Sequence, residues 1–127
     1  MLRPIAALLL LVLPVLSCAR HLHHERYYQR QFCMLHGGET EVRLPDGTRA
    51  DCLFRDSNTD IGYACEMDFA NKWYEAVGQS LFYSFQTSRT PCIVLIVEQP
   101  GDAKYYYRAY STIEHFKLPI RVYTIKP

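Results

Sequence analysis

Asp51 and Glu66 are the residues of this chain whose type and spacing come closest to a chemical device. Carboxylates held side by side bind a divalent cation or share a proton. Residues 48–54 (TRADCLF) and 63–69 (YACEMDF) both alternate, and the period of two sends Arg49, Asp51 and Leu53 to one face of a strand and Ala50, Cys52 and Phe54 to the other. In the second segment Glu66 and Asp68 share a face, opposite Cys65, Met67 and Phe69. Setting Asp51 across from Glu66 also sets Cys52 across from Cys65, so one antiparallel register accounts for both pairs.

The elements around this pair follow from turn and helix signals. Residues 39–44 alternate as a strand, and Pro45-Asp46-Gly47 makes a turn before residues 48–54 return. A type I turn with Gly47 left-handed gives a three-residue loop that puts Glu41 opposite Asp51. The expected result is an acidic face carrying Glu41, Asp51, Glu66 and Asp68. The reverse face, with Val42, Leu44, Ala50, Cys52, Phe54, Cys65, Met67 and Phe69, is the expected core. Residues 70–87 predict a long helix with Trp73, Val77, Leu81 and Phe85 along its apolar stripe. A second stripe carries Lys72, Gln79 and Tyr83, within roughly 40° of one another at about 100° per residue.

Farther on, residues 92–97 (CIVLIV) read as a strand covered on both sides. Residues 102–116 predict a helix with Ala103, Tyr106, Tyr110, Ile113 and Phe116 on one side, and residues 120–125 a last strand. At the other end, residues 20–31 (RHLHHERYYQRQ) are a tether or a first helix running on through Leu35. Gly37-Gly38 ends it. The fold class is α/β, a mixed β-sheet of about five strands, with a three-strand antiparallel meander and crossover strands, flanked by helices.

The chain opens with Arg3, an apolar run over residues 5–16 and Ser17-Cys18-Ala19, the pattern of a secretory signal over residues 1–17. Val15-Leu16-Ser17-Cys18 is similar to a lipobox, so lipidation at Cys18 and plain signal cleavage both stand. Lipidation would give the protein a membrane anchor, and no later stretch reaches the roughly 20 apolar residues of a span. An exported chain of 127 residues with Cys33, Cys52, Cys65 and Cys92 besides Cys18 predicts disulfides, and four cysteines allow three pairings. The hairpin register favours Cys52–Cys65 with Cys33–Cys92. The roughly 110 residues left after processing make one domain, organised as residues 18–35, tether or helix, and 36–127, the sheet domain. Arg3 is one of 14 basic residues and departs with the signal, leaving 13 against 13 acidic. A near-zero net charge counts against tight, salt-driven DNA binding.

The order of elements, the acid on the second strand, the acid-rich third strand and the long helix after it resemble the PD-(D/E)xK nuclease superfamily, whose fold is restriction-endonuclease-like. The resemblance implies that Asp51 is the metal-binding aspartate and Glu66 the first acid of the tripeptide. Gln79-Ser80-Leu81-Phe82-Tyr83 has the Q-x-x-x-Y form of the branch that includes recombination nucleases and resolvase-like enzymes. Glu41 is then an additional acid. The tripeptide here is Glu66-Met67-Asp68, without its lysine, and Lys72 on the helix is the replacement. The implied cofactor is Mg²⁺ or Mn²⁺ and the implied partner nucleic acid, with Lys72, Gln79 and Tyr83 as catalytic residues and Asp51, Glu66, Asp68 and Glu41 as metal ligands. The rival readings are an inactive nuclease-fold envelope protein that binds a protein partner, and a purely structural cation site.

Each feature has a plainer alternative. Paired carboxylates are ordinary on a solvated strand face, Lys72 alone is a solvated first-turn lysine, and Gln79 and Tyr83 alone are packing residues. His21, His23 and His24 fit a flexible spacer better than a metal site, and His36 a surface loop. Tyr105, Tyr106 and Tyr107 point three ways from a helix and are assigned to packing. Arg43, Arg49 and Arg55 clamp phosphates or hold acids across the sheet.

Overall fold

The computed structural model describes residues 20–127; the signal segment and Cys18 lie outside the described residues. Helix α1 (Glu25–Leu35) leads into strands β1 (Glu39–Arg43), β2 (Arg49–Arg55) and β3 (Gly62–Phe69). A short 3₁₀ turn, Ala70–Lys72, opens helix α2 (Trp73–Thr87), followed by β4 (Thr90–Ile96), a second 3₁₀ turn, α3 (Ala103–His115) and β5 (Arg121–Ile125). The strands stand in the sheet in chain order. The first three are antiparallel, and β4 and β5 run parallel to β3. This is the mixed, helix-flanked sheet expected from the alternation pattern.

The helices divide between the two faces. Tyr28, Phe32 and Cys33 of α1 pack with Cys52, Phe54, Cys65, Met67, Val94 and Ile96. The opposite side of β4 meets α2 and α3 through Ala70, Ala76, Ile93, Leu95, Ala109 and Ile113. The expected helix stripes hold in part: Trp73, Val77 and Leu81 of α2 pack half-buried against this second cluster, and Ile113 of α3 lies within it. In α2 the buried positions are Ala76, Ser80 and Tyr83, while Phe85 is 83% exposed. In α3 they are Ala109 and Ile113, while Phe116 is 67% exposed. Small residues lie against the sheet because they let the helix axis approach it closely, a preference that apolar periodicity does not register.

The turn between β1 and β2 has the expected form. Leu44 N donates to Thr48 O at 2.8 Å, Gly47 N to Leu44 O at 2.9 Å, and Gly47 is left-handed at φ 91°. The faces of the hairpin differ from expectation, however. Leu44 and Ala50 pack with Ala64 and Tyr83 on the α2 side instead of with Cys52 and Phe54. Glu41 explains the change: it sits in β1 with φ 53°, a left-handed residue that interrupts the alternation and turns over the hairpin tip.

Two disulfides cross the α1 face, Cys33–Cys52 with Cα atoms 5.8 Å apart and Cys65–Cys92 at 4.3 Å. The expected pairing of Cys52 with Cys65, and of Cys33 with Cys92, is corrected by these bonds. The register itself is as expected, with Cys52 opposite Cys65. But Cys52 also faces the helix that carries Cys33, and Cys65 is the lateral partner of Cys92 in the parallel pair. Each sulfur bonds to the element on its far side. Two disulfides suggest an oxidising, non-cytoplasmic environment, and among the described residues no helix is long and apolar enough to cross a membrane.

The glycine pair closes α1 as a Schellman motif: Gly37 N donates to Met34 O at 3.1 Å and Gly38 N to Cys33 O at 2.9 Å. Gly37 supplies the left-handed residue, φ 65°. Gly38 is needed for closeness, since a Cβ there would lie 2.6 Å from Leu53 O and 2.8 Å from both Cys33 Sγ and Phe54 Cβ. Gly38→Ala is expected to lower stability by about 2 kcal/mol or more through overpacking, measured by urea unfolding, whereas Gly78→Ala, with nothing within 4 Å, should stabilise slightly.

Candidate functional site

The sheet opens at Asp51. Pairing of β2 with β3 runs from Arg55–Gly62 to Cys52–Cys65 and stops there, although both strands continue. On the other side the β1–β2 partners pass from Thr40–Cys52 to Val42–Ala50, skipping left-handed Glu41 and Asp51. The backbone groups freed by this gap are met by side chains. Asp51 Oδ2 accepts a hydrogen bond from Met67 N at 2.8 Å, and Gln29 Nε2 donates to Asp51 O at 2.8 Å.

Into this gap converge the carboxyls of Asp51, Glu66, Asp68 and Glu25. The register makes Asp51 and Glu66 the next pair after Cys52–Cys65, and their carboxyls lie within hydrogen-bonding reach of each other. Glu66 is 7% exposed and Asp68 6%, because α2 covers the acidic face. Glu66 Oε2 is buried without a hydrogen-bond partner. Asp68 Oδ1 accepts from Phe69 N at 2.9 Å and lies 4.0 Å from Lys72 Nζ.

Crowded carboxyls removed from water resist ionisation. Burial, then the charge of Asp51, pushes Glu66 up to about 9. Burial pushes Asp51 up to about 6, held back by the Met67 N–H. Glu25 rises to about 7 through burial and the charges of Asp68 and Asp51. Asp68 is raised by burial, with the Lys72 ammonium pulling the other way. Tyr83 faces Glu66, and burial together with that carboxylate raises its phenol.

The expected site residues therefore separate into groups. Asp51, Glu66, Asp68, Lys72 and Tyr83 meet at the gap. Glu41 turns toward α1, where Gln29 Nε2 donates to its Oε1 at 3.1 Å and Arg26 Nη2 lies 3.8 Å away. Gln79 is exposed on α2. Glu25 was missed, since its only signal is an acid in the first turn of a helix, and nothing local says that this turn ends beside β3.

Other expectations resolve outside the gap. His21 is no spacer: its Nδ1 lies 2.7 Å from Glu98 Oε2, and its ring stacks on Phe69 with centroids 3.5 Å apart. His36 stacks on Phe32 at 4.1 Å. Arg55 holds the β2–β3 loop by donating to Asp60 O at 2.6 Å. Of the three tyrosines, Tyr105 packs against the α2–α3 layer, while Tyr107 is 65% exposed.

Among the described residues no group of three or more His, Cys, Asp or Glu side chains is set to hold a metal ion. The donor set nevertheless fits a hard cation. Mg²⁺ is commonly held by one or two carboxylates, with water and substrate supplying the other ligands, and here an adjacent carboxyl pair includes an orphaned buried oxygen. Comparisons with family models, curated proteins and solved structures yield no match to this chain. Fold and site together define an α/β domain with a carboxyl cluster at an interruption in its sheet.

Proposed function

We propose that this is an exported PD-(D/E)xK-like domain, a divalent-metal-dependent nuclease whose Asp51 and Glu66 hold Mg²⁺ or Mn²⁺ and which acts on DNA or RNA phosphodiesters. One observation carries the reading: the sheet interrupts its own hydrogen bonding where Asp51 and Glu66 meet, and leaves Glu66 Oε2 unpartnered. A sheet gives up ladder bonds where a function repays the loss. The element order and the Tyr83 hydroxyl turned to Glu66 support the same reading. When bound, such a cation polarises a phosphate and lowers the pKa of a coordinated water. The chain's own residues would do the rest. Asp51 is oriented by the Met67 N–H, Tyr83 orients Glu66, and Lys72 brings a positive charge to Asp68, which occupies the tripeptide position where the superfamily carries lysine.

Export rests on the signal-like residues 1–17 and on the two disulfides; Cys18 offers the lipid anchor. A second reading is favoured by the burial of Glu66 and by the pairing of Lys72 with Asp68 instead of with a nucleophile. In it the cluster binds a cation only to stiffen the sheet, or is inert, and the domain serves a protein partner in the envelope.

Incubation with single-stranded DNA, RNA and plasmid in Mg²⁺ or Mn²⁺ separates them. Cutting by the wild type that falls by at least about 10³-fold in Asp51→Asn and in Glu66→Gln, with melting temperature not lowered, supports the enzyme. Titration calorimetry showing cation binding without cutting supports the structural site. Cutting that persists in both variants, or no cation binding at all, removes the metal-dependent nuclease.

A further inference from the structure

We infer that Arg26, Arg30 and Arg49 form a phosphate subsite beside the carboxyl cluster, and that its ligand is the backbone of a single nucleic-acid strand. The reading above supplies the polymer, but binding at this subsite needs neither metal nor cleavage. The three arginines line a cavity of about 140 Å³ together with Gln29, Thr40 and Glu41. Arg26 and Arg30 are four residues apart on α1 and share a helix face, and Arg49 comes from the first position of β2.

Charge in this cavity is unbalanced. Three guanidinium groups meet one carboxylate, that of Glu41, and Glu41 is already engaged by Arg26 at 3.8 Å and Gln29 at 3.1 Å. Among the described residues Arg30 and Arg49 make no ion pair. Arg49 also stands directly across the hairpin from Arg43; like charges facing each other across strands are unfavourable, and a bound anion relieves the repulsion. Guanidinium forks match the oxygens of a phosphate. Gln29 links the subsite to the cluster, because the same Nε2 donates to Glu41 Oε1 and to Asp51 O.

The single strand is indicated by what lies next along α1. His23 stacks on Tyr27 with centroids 4.0 Å apart, Tyr27 is 44% exposed, and Arg30 follows one turn later. Aromatic faces beside a basic groove take unpaired bases. Near-zero net charge does not suit the broad electrostatic grip used on duplexes.

The test is fluorescence anisotropy of a labelled 12-nucleotide single strand with the purified protein in EDTA, where no cutting can occur. The expected plot of log affinity against log salt has a slope of about −2, from three contacts at roughly 0.7 each. Arg30→Gln and Arg49→Gln should each weaken binding by about tenfold and flatten the slope by about 0.7. Arg108→Gln on α3 should change nothing, and millimolar inorganic phosphate should compete. Because both arginines are exposed, circular dichroism should show unchanged folding, and Arg49→Lys should retain part of the affinity. Undiminished binding in the Arg30→Gln/Arg49→Gln double variant overturns the subsite, as does failure of phosphate to compete. Binding to phosphatidylserine vesicles without binding to the strand overturns its ligand. None of these results decides whether Asp51 and Glu66 bind a metal.

Discussion

Glu66→Gln should make the domain more stable at pH 8, by several kcal/mol and on the order of 10 °C in melting temperature. The direction follows from proton linkage. Glu66 has its ordinary value of 4.5 in the unfolded chain and about 9 in the fold. Between those values the folded state binds more protons than the unfolded state, so stability falls as pH rises. The contribution is fully present below about pH 4.5 and is lost as pH climbs through about 9. Glutamine keeps the shape and carries no charge to desolvate, so the advantage of the variant should vanish near pH 4.5 and grow toward pH 9. Asp51, raised to about 6, and Glu25, raised to about 7, bend the wild-type profile the same way over lower ranges. Thermal unfolding of both proteins from pH 4 to 9 measures the difference directly. A variant less stable than wild type at pH 8 would mean that Glu66 is ionised and well paired. A bound divalent cation would reverse the effect, because it favours the ionised carboxyls; Mn²⁺ at pH 8 should stabilise the wild type and leave Glu66→Gln unmoved.

Removing the bridge between Cys33 and Cys52 carries the second large effect. The two residues are separated by 19 positions, and closing a loop of that size reduces the entropy of the unfolded chain by the equivalent of about 3 kcal/mol. The Cys33→Ala/Cys52→Ala protein should lose about that much by urea unfolding. Its α1 should loosen first, since what remains is packing of Tyr28 and Phe32 and the hydrogen bonds of Gln29. Loosening α1 also withdraws Gln29 from Asp51 and Glu25 from Asp68, so cation affinity should fall with stability. Cys65→Ala/Cys92→Ala, with a separation of 27, should cost a similar amount without freeing the helix. Peptide mapping under non-reducing conditions checks the connectivity behind both estimates; a Cys52–Cys65 fragment would contradict it.

Most of the sheet was legible in the residues themselves. Alternation in β2 and β3, the Pro45-Asp46-Gly47 turn and the apolar run of β4 are local signals, and a period of two leaves only one register that hides the apolar side. Asp51 and Glu66 became neighbours through that register alone. Strand type, turn geometry and the antiparallel pairings were thus determined by the sequence.

Tertiary structure decided whatever depends on contacts between elements. Cys52 could bond across the strand pair or upward to the helix, and only the placement of α1 selects Cys33. Which stripe of α2 turns inward depends on how near the helix can come to the sheet, which brought Ala76 and Ser80 down and left Phe85 outside. The acidic face became a buried cluster because α2 lies over it, and its fourth carboxyl, Glu25, arrives from a helix that is remote in the chain. Burial also sets the charge state of these acids. Desolvation is a property of the surrounding atoms, so the residue types that named the carboxyls carried no information about the protons they hold.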